Sequence, residues 1–323
     1  MSGWVLPPSA QPPVAAPPGP APARRTAGSI YDLGYQRYGG RRLGRSAAAR
    51  ALFTQTLRAC YGIGRGGRAK IVPFGLAALA ILPAVLAVGI SAIASQAGGA
   101  GGAIEAVSPI RYSTYHGLTA SIVMLFCAAQ APELFGRDQR YGVLQLYFSR
   151  ALRREDYALA KVGGLWVALL VTILAPQLIL FVGRLLVAPD PITGLRNELP
   201  SLLPAIAQAV LTAGLFGGLS AVVASFTPRR SFATAGIIAL FIVPPIVVAV
   251  IDRLAGPDLG RLLVFASPGD ILDGSNAALF GTTPDSPAVA SLDLPTVAFV
   301  VAAAVGVIGA LAVILRRYQV IEA

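Results

Sequence analysis

Hydrophobic positions in this chain gather into long unbroken runs separated by short polar stretches. Six runs come close to or exceed the roughly 20 residues an α-helix needs to cross a bilayer. They are Ile71–Ser95, Thr114–Ala131, Val162–Leu186, Pro200–Thr227, Phe232–Ile251 and Pro295–Leu315. The pattern predicts an all-α, polytopic membrane protein with six transmembrane helices. Pro83, Pro176, Pro204 and the pair Pro244 and Pro245 fall inside or at the start of these helices. Membrane helices tolerate proline because neighbouring helices re-satisfy the freed backbone groups, usually with a kink.

Composition agrees. Charged residues make up 13% of the chain, about half the share expected of a soluble domain, and mean hydropathy is +0.68. The net charge of +11 reads as topology and contact with anionic lipid headgroups; no nucleic-acid partner is expected. Residues 24–70 carry eleven Lys or Arg and one acid, Asp32, and residues 132–161 carry six basic residues. Arg229 and Arg230 lie between the fourth and fifth spans, and Arg316 and Arg317 follow the sixth. The alternate loops hold Arg111, Arg196, Arg253 and Arg261, together with nine of the fifteen acids. The positive-inside rule therefore places both termini in the cytoplasm, and an even number of spans requires the same.

This divides the chain into a Pro/Ala- and Arg-rich cytoplasmic tail (1–45), a basic amphipathic segment (46–70), a transmembrane domain (71–316) and a short cytoplasmic tail (317–323). Eight of the 25 prolines fall in residues 1–23, too poor in large apolar side chains to fold, so a disordered or polyproline tail is expected. No basic start precedes an apolar core, which argues against a secretory signal. Ser46–Tyr61 has helical spacing, with Leu52, Phe53, Leu57, Cys60 and Tyr61 on one face, and is expected to lie in the membrane interface. Residues 96–113 are Gly/Ala-rich. The external loop 252–294 is long enough for structure of its own, and Leu262–Phe265 and Ile271–Phe280 are expected to dip into the interface as short helices.

Candidate chemistry is sparse. No GxxxxGK[ST] loop occurs, and Gly62-Ile63-Gly64-Arg65-Gly66-Gly67 matches GxGxxG without the preceding strand a dinucleotide site needs, so it reads as a basic hinge. Cys60 and Cys127 imply neither a disulfide nor a metal site. Ser220 and the single histidine, His116, fall at different depths of their spans, too far apart for a nucleophile and its base. Ser220 with Gly214, Gly217 and Gly218 fits a small-residue packing face, and His116 fits the interface. Ion-driven carriers keep buried carboxylates or histidines at mid-depth; none is present here, so energy for transport would have to come from elsewhere.

The stretch around which the rest is arranged is 132–161, a charged block between two apolar spans. Charge at the bilayer centre costs about 2.5–3.5 kcal/mol per residue on insertion scales, which keeps the block outside. Glu133 and Arg137 stand in the favourable order for a helical ion pair. Leu144, Leu146, Tyr147 and Phe148 form an apolar ridge flanked by Arg140 and Arg150, a combination suited to docking in a groove of another protein.

Six spans with both ends inside, and a charged block between spans two and three, resemble the permease subunits of ABC-2 type transporters. The matching residues are Glu133, Arg137, Asp138, Gly142, Leu144, Leu146, Ser149, Arg150, Leu152, Arg154 and Lys161, in that order. Phe265-Ala266-Ser267-Pro268 is similar to a Ser-Pro element common before the last span. The resemblance covers about residues 46–320. It departs at Ala151 and Arg153, where the family often has proline and a small hydroxyl residue, so the helix entering span three is expected to start earlier. The resemblance implies a non-enzymatic plasma-membrane permease whose block 132–161 is a coupling helix. Two copies of a separate ABC ATPase would carry ATP and Mg, this chain holding no cofactor. A second permease, identical or homologous, would complete the path, and the apolar interior favours a hydrophobic or amphipathic cargo. The alternative is a non-transporting membrane anchor that recruits a cytosolic protein through the same block.

Overall fold

The computed structural model describes residues 39–40, 43–96, 110–149, 152–255, 257–292 and 294–321. The Pro/Ala tract, most of the Gly/Ala-rich segment and Arg150 lie outside the described residues. Six helices are long and apolar enough to cross a membrane, and among the described residues there is no strand. They are α2 (Arg68–Gln96), α3 (Tyr112–Ala131), α6 (Arg154–Val187), α7 (Pro191–Phe226), α8 (Arg230–Ala255) and α12 (Thr296–Val320).

Two of these helices start well before their apolar runs because polar residues that favour helix starts stand further out. Asp190 accepts the backbone N–H of Thr193 at 3.0 Å with Pro191 at the first helical position, so α7 starts well before Pro200; Asp caps and N1 prolines are strong start signals. Asp156 likewise accepts the Arg153 N–H at 3.1 Å, which starts α6 at Arg154, eight residues before the apolar run begins at Val162. The prolines at 83, 176, 204, 244 and 245 all lie within continuous helices.

The spans are not equivalent. In the most apolar window of α7, 67% is buried and in that of α3 61%, against 17–22% for α2, α8 and α12. α3 and α7 are therefore central, and the other three lie at the periphery. Val297, Val301, Val305 and Ile308 make an apolar stripe on α12, all more than half exposed in the isolated chain. Close approach of α7 to its neighbours depends on glycine. A Cβ on Gly214 would sit 2.8 Å from Val307, one on Gly217 2.9 Å from Leu169, and one on Gly218 3.0 Å from the Ala310 methyl. This is the small-residue packing expected there. Ser220 is fully buried on the same helix. His116 contacts Gln208 at 3.4 Å, twelve residues before Ser220, or about 18 Å along the helix axis, and the two cannot act together.

The short helices α9 (Pro257–Leu263), α10 (Pro268–Phe280) and α11 (Pro287–Ser291) lie between α8 and α12. Ser267 caps α10 by accepting the Asp270 N–H at 3.3 Å. Gly281 ends it at φ +64°, a left-handed conformation that glycine adopts without a steric penalty. α10 does not rest on the membrane interface as its apolar residues suggest. It packs against α7, α12, α8 and α3, with Ile271, Leu272, Ser275, Asn276 and Ala277 buried. Its polar groups are met inside the bundle. Gln208 donates to the Leu272 carbonyl at 2.9 Å and accepts from Ser275 Oγ at 2.9 Å, while Asn276 donates to the Ser113 carbonyl at 2.8 Å.

The amphipathic helix α1 (Gly44–Cys60) has the predicted apolar face, covered by protein: it packs on α6. Phe53 lies against Gly163 and Thr56 against Gly164, and the Tyr61 hydroxyl donates to the Ala168 carbonyl at 2.8 Å. Arg50 and Arg58 stay exposed.

Replacing Gly214 by Leu is expected to lower stability by about 1–3 kcal/mol through overpacking against α12. Gly309→Ala, where nothing lies within 4 Å of the added methyl, is expected to leave it unchanged or slightly raised. Thermal unfolding in detergent separates the two; equal midpoints for Gly214→Leu and the unsubstituted chain would contradict this packing.

Candidate functional site

The charged block is built from the C-terminal end of α3 onward. α3 runs directly into a π-helical turn, Pro132–Gly136, then α4 (Arg137–Arg140) and α5 (Leu144–Phe148). π turns inside α-helices occur mostly at functional sites. Gly136 lets this turn approach the α7–α8 connection, since a Cβ there would lie 3.3 Å from the Thr227 carbonyl oxygen. Gln139 donates to the Ser225 carbonyl at 2.8 Å. Gly142 turns the chain between α4 and α5 at φ +63°, where any other residue would be strained. Val143 N–H then closes back on the Asp138 carbonyl at 3.1 Å.

Two of the residues singled out from sequence, Asp138 and Lys161, meet. The Lys161 ammonium lies 2.8 Å from Asp138 Oδ2, with side chains only 8% and 13% exposed. Lys161 also donates to the Leu134 carbonyl at 2.9 Å, and the Tyr157 hydroxyl donates to Asp138 Oδ2 at 2.7 Å. Lys161 does not open α6 but sits in its eighth position, about 10 Å along the axis from the first. Its charge is tolerated at that depth because it faces the bundle and is paired. Tyr157 packs at steep ring angles against Tyr318 of α12, and against Tyr147 and Phe148 of α5, at centroid distances of 5.2–5.8 Å. The base of α6 thus gathers the block and the end of the last span.

Glu133 and Arg137 do not pair as expected. The i,i+4 rule presumes α-helical winding, whereas Glu133 lies in the π turn. Two arginines from elsewhere reach its carboxylate: Arg230 of α8 at 2.8 Å and Arg65 at 3.7 Å. Arg65 and Arg230 were visible in the sequence only as contributors to charge asymmetry.

The expected apolar ridge is also divided. Leu144 is buried, Tyr147 and Phe148 are half-buried on Tyr157, and Leu146 is 67% exposed, as is Tyr141. Arg137, Arg140, Gly142 and Ser149 are exposed beside them. Ser149 follows α5 and donates to the Leu146 carbonyl at 3.1 Å. Arg154 is tied down, donating to the Gln319 carbonyl at 2.7 Å and lying 5.5 Å from the Phe148 ring. The outward surface is therefore Arg137, Arg140, Tyr141 and Leu146.

This surface continues onto α1. A groove of about 810 Å³ between them is lined by Arg50, Arg58, Arg65 and Arg137. Cys60, the last residue of α1, is fully buried. Burial pushes its thiol up to about 12, against the opposing fields of Lys161 and Arg65, so it is inert toward thiolate chemistry. The start of α1 and the end of α12 both come to this end of the bundle. Arg45 forks onto Asp156 with a 2.7 Å bond to Oδ1, and Gln319 bonds Glu155 at 2.9 Å.

At the opposite end, Asp273 receives the backbone N–H groups of Asp285 and Ser286 at 3.2 and 2.9 Å. Burial raises its carboxyl above the ordinary range in spite of those bonds. No protein-family model matches the chain, and it matches no curated protein.

Removing one partner of a buried ion pair strands the other. Lys161→Met or Asp138→Leu alone is expected to cost about 3–5 kcal/mol. The double substitution is expected to cost clearly less than their sum, read from unfolding in detergent. Additive effects would show that the pair carries no coupling.

Proposed function

We propose that this chain is the membrane-spanning permease subunit of an ATP-driven exporter of the ABC-2 type, coupling ATP hydrolysis on a separate ATPase to export. Block 132–161 and both termini lie in the cytoplasm of a cell whose plasma membrane holds the six spans. ATP and Mg are bound by two copies of the partner ATPase, and a second permease, identical or homologous, completes the path. The cargo is hydrophobic or amphipathic.

One observation carries this reading: an outward face of Arg137, Tyr141 and Leu146 is fixed to the base of α6 by a buried salt bridge. Exposed tyrosine and arginine are residue types enriched at docking hot spots, and an exposed leucine on the same block adds apolar surface that a solvated connector does not need. A push on that face is passed to α6 through Asp138 and Lys161, and to α8 through Glu133 and Arg230, so that spans three and five shift as rigid bodies. The absence of charged groups at mid-depth among the spans' apolar runs supports energy entering from a partner.

Leu146→Asp and Arg137→Glu are expected to reduce co-purification of an ATPase from native membranes by at least about tenfold, the cost of one lost hot-spot side chain. Insertion and thermal stability should be unchanged, because both side chains point outward. Coupled turnover and ATPase recovery at the level of the unsubstituted chain would contradict docking here. A retained partner without transport of labelled substrate in vesicles would favour a recruiting anchor instead.

A further inference from the structure

A groove of about 1010 Å³ lies on α3 between α2 and α8. Its walls are apolar, chiefly Leu76, Leu125, Ala128 and Ile238, and its end is lined by Arg140, Arg229 and Arg230. From Arg230 to Ile238 the groove follows α8 for about 12 Å at 1.5 Å per residue. Half of a bilayer's hydrocarbon core is about 15 Å. The slot therefore has the depth of one leaflet, with guanidinium groups where headgroups lie.

These arginines are only partly neutralised. Arg230 bonds Glu133 at 2.8 Å with its side chain still 57% exposed. Arg140 and Arg229 are exposed and have no carboxylate within 4 Å among the described residues. Three guanidinium charges face one carboxylate, and each fork keeps donors suited to phosphate oxygens. A zwitterionic lipid brings its own cation to this end and gains little. A second copy of the chain closing directly on this face would bring two such arginine sets together and be repelled.

We propose that this groove is a binding site for an anionic phospholipid, with an acyl chain along α3 and its phosphate on Arg140, Arg229 and Arg230. The site depends on the chain spanning a membrane, but not on its being a transporter. The arginines hold the headgroup at the interface while the apolar wall replaces neighbouring acyl chains.

The test uses the full chain in nanodiscs of equal parts phosphatidylglycerol and phosphatidylcholine, extracted mildly and examined by native mass spectrometry. Phosphatidylglycerol should be retained preferentially. Arg140→Gln with Arg229→Gln, which leaves the Glu133–Arg230 pair intact, should lower its retention by about fivefold per arginine. Ala235→Trp, placing bulk in the groove without altering charge, should also remove it. Arg50→Gln with Arg58→Gln, outside the groove, should not. Undiminished retention in the first two variants, or equal loss in the third, would overturn the site. So would a disulfide between two copies carrying Ala235→Cys in the bilayer, since it would show the groove covered by protein.

Discussion

The buried contact between Asp138 and Lys161 is the constraint on which the charged end of the molecule depends. Without it, the segment after α3 would keep its apolar anchors Leu134, Phe135 and Leu144 but lose its charged link to α6. With it, an ammonium inside α6 reaches a carboxylate on α4 and a carbonyl in the π turn at once. The Tyr157 hydroxyl completes the shell on the same carboxylate oxygen. A buried pair of this kind is a weak source of net stability, because desolvation offsets most of the Coulombic gain. What it supplies is position: the block can sit only where both charges are satisfied.

That fixed position sorts the side chains of the block into two sets. Leu144, Tyr147 and Phe148 close against Tyr157 and Tyr318, so the block shares an aromatic base with the first turn of α6 and the last turn of α12. Arg137, Tyr141 and Leu146 are left facing outward. Glu133 makes a second tether, to Arg230 of α8. The opposite end of the bundle is held differently. There α10 is inserted among the spans, its backbone and small polar side chains met by Gln208 and by the Ser113 carbonyl. The charged block is thus held by two ion pairs, whereas α10 is held by neutral hydrogen bonds, with the Arg184–Glu198 pair at 3.5 Å joining α6 and α7 at that same end.

The six spans were legible because the bilayer imposes a length and an apolarity that few other structures share. Their ends were less so, since Asp190 and Asp156 cap helices beyond the apolar runs. Asp138 and Lys161 were both singled out from the sequence, but their meeting was not, because the left-handed turn at Gly142 and the connection from α5 to α6 lie between them. The Glu133–Arg137 pairing failed for a different reason: spacing rules for an α-helix do not hold through a π turn. The burial of α10 was hidden by its glycine, serine and asparagine. The signal that could have found it was Gln208, a lone amide in an apolar span that needed a polar partner. The apolar face of α1 was legible in its residues, and its covering by α6 was not, since periodicity shows that a face is covered but not by what.

Docking of a cytosolic ATPase requires the outward face of the block to meet the cytoplasm. Leu146→Cys provides a single accessible thiol there, Cys60 and Cys127 being fully buried. A membrane-impermeant maleimide applied to intact cells and to inside-out vesicles tests it directly. Labelling in the vesicles alone is the predicted result; labelling of intact cells would contradict it.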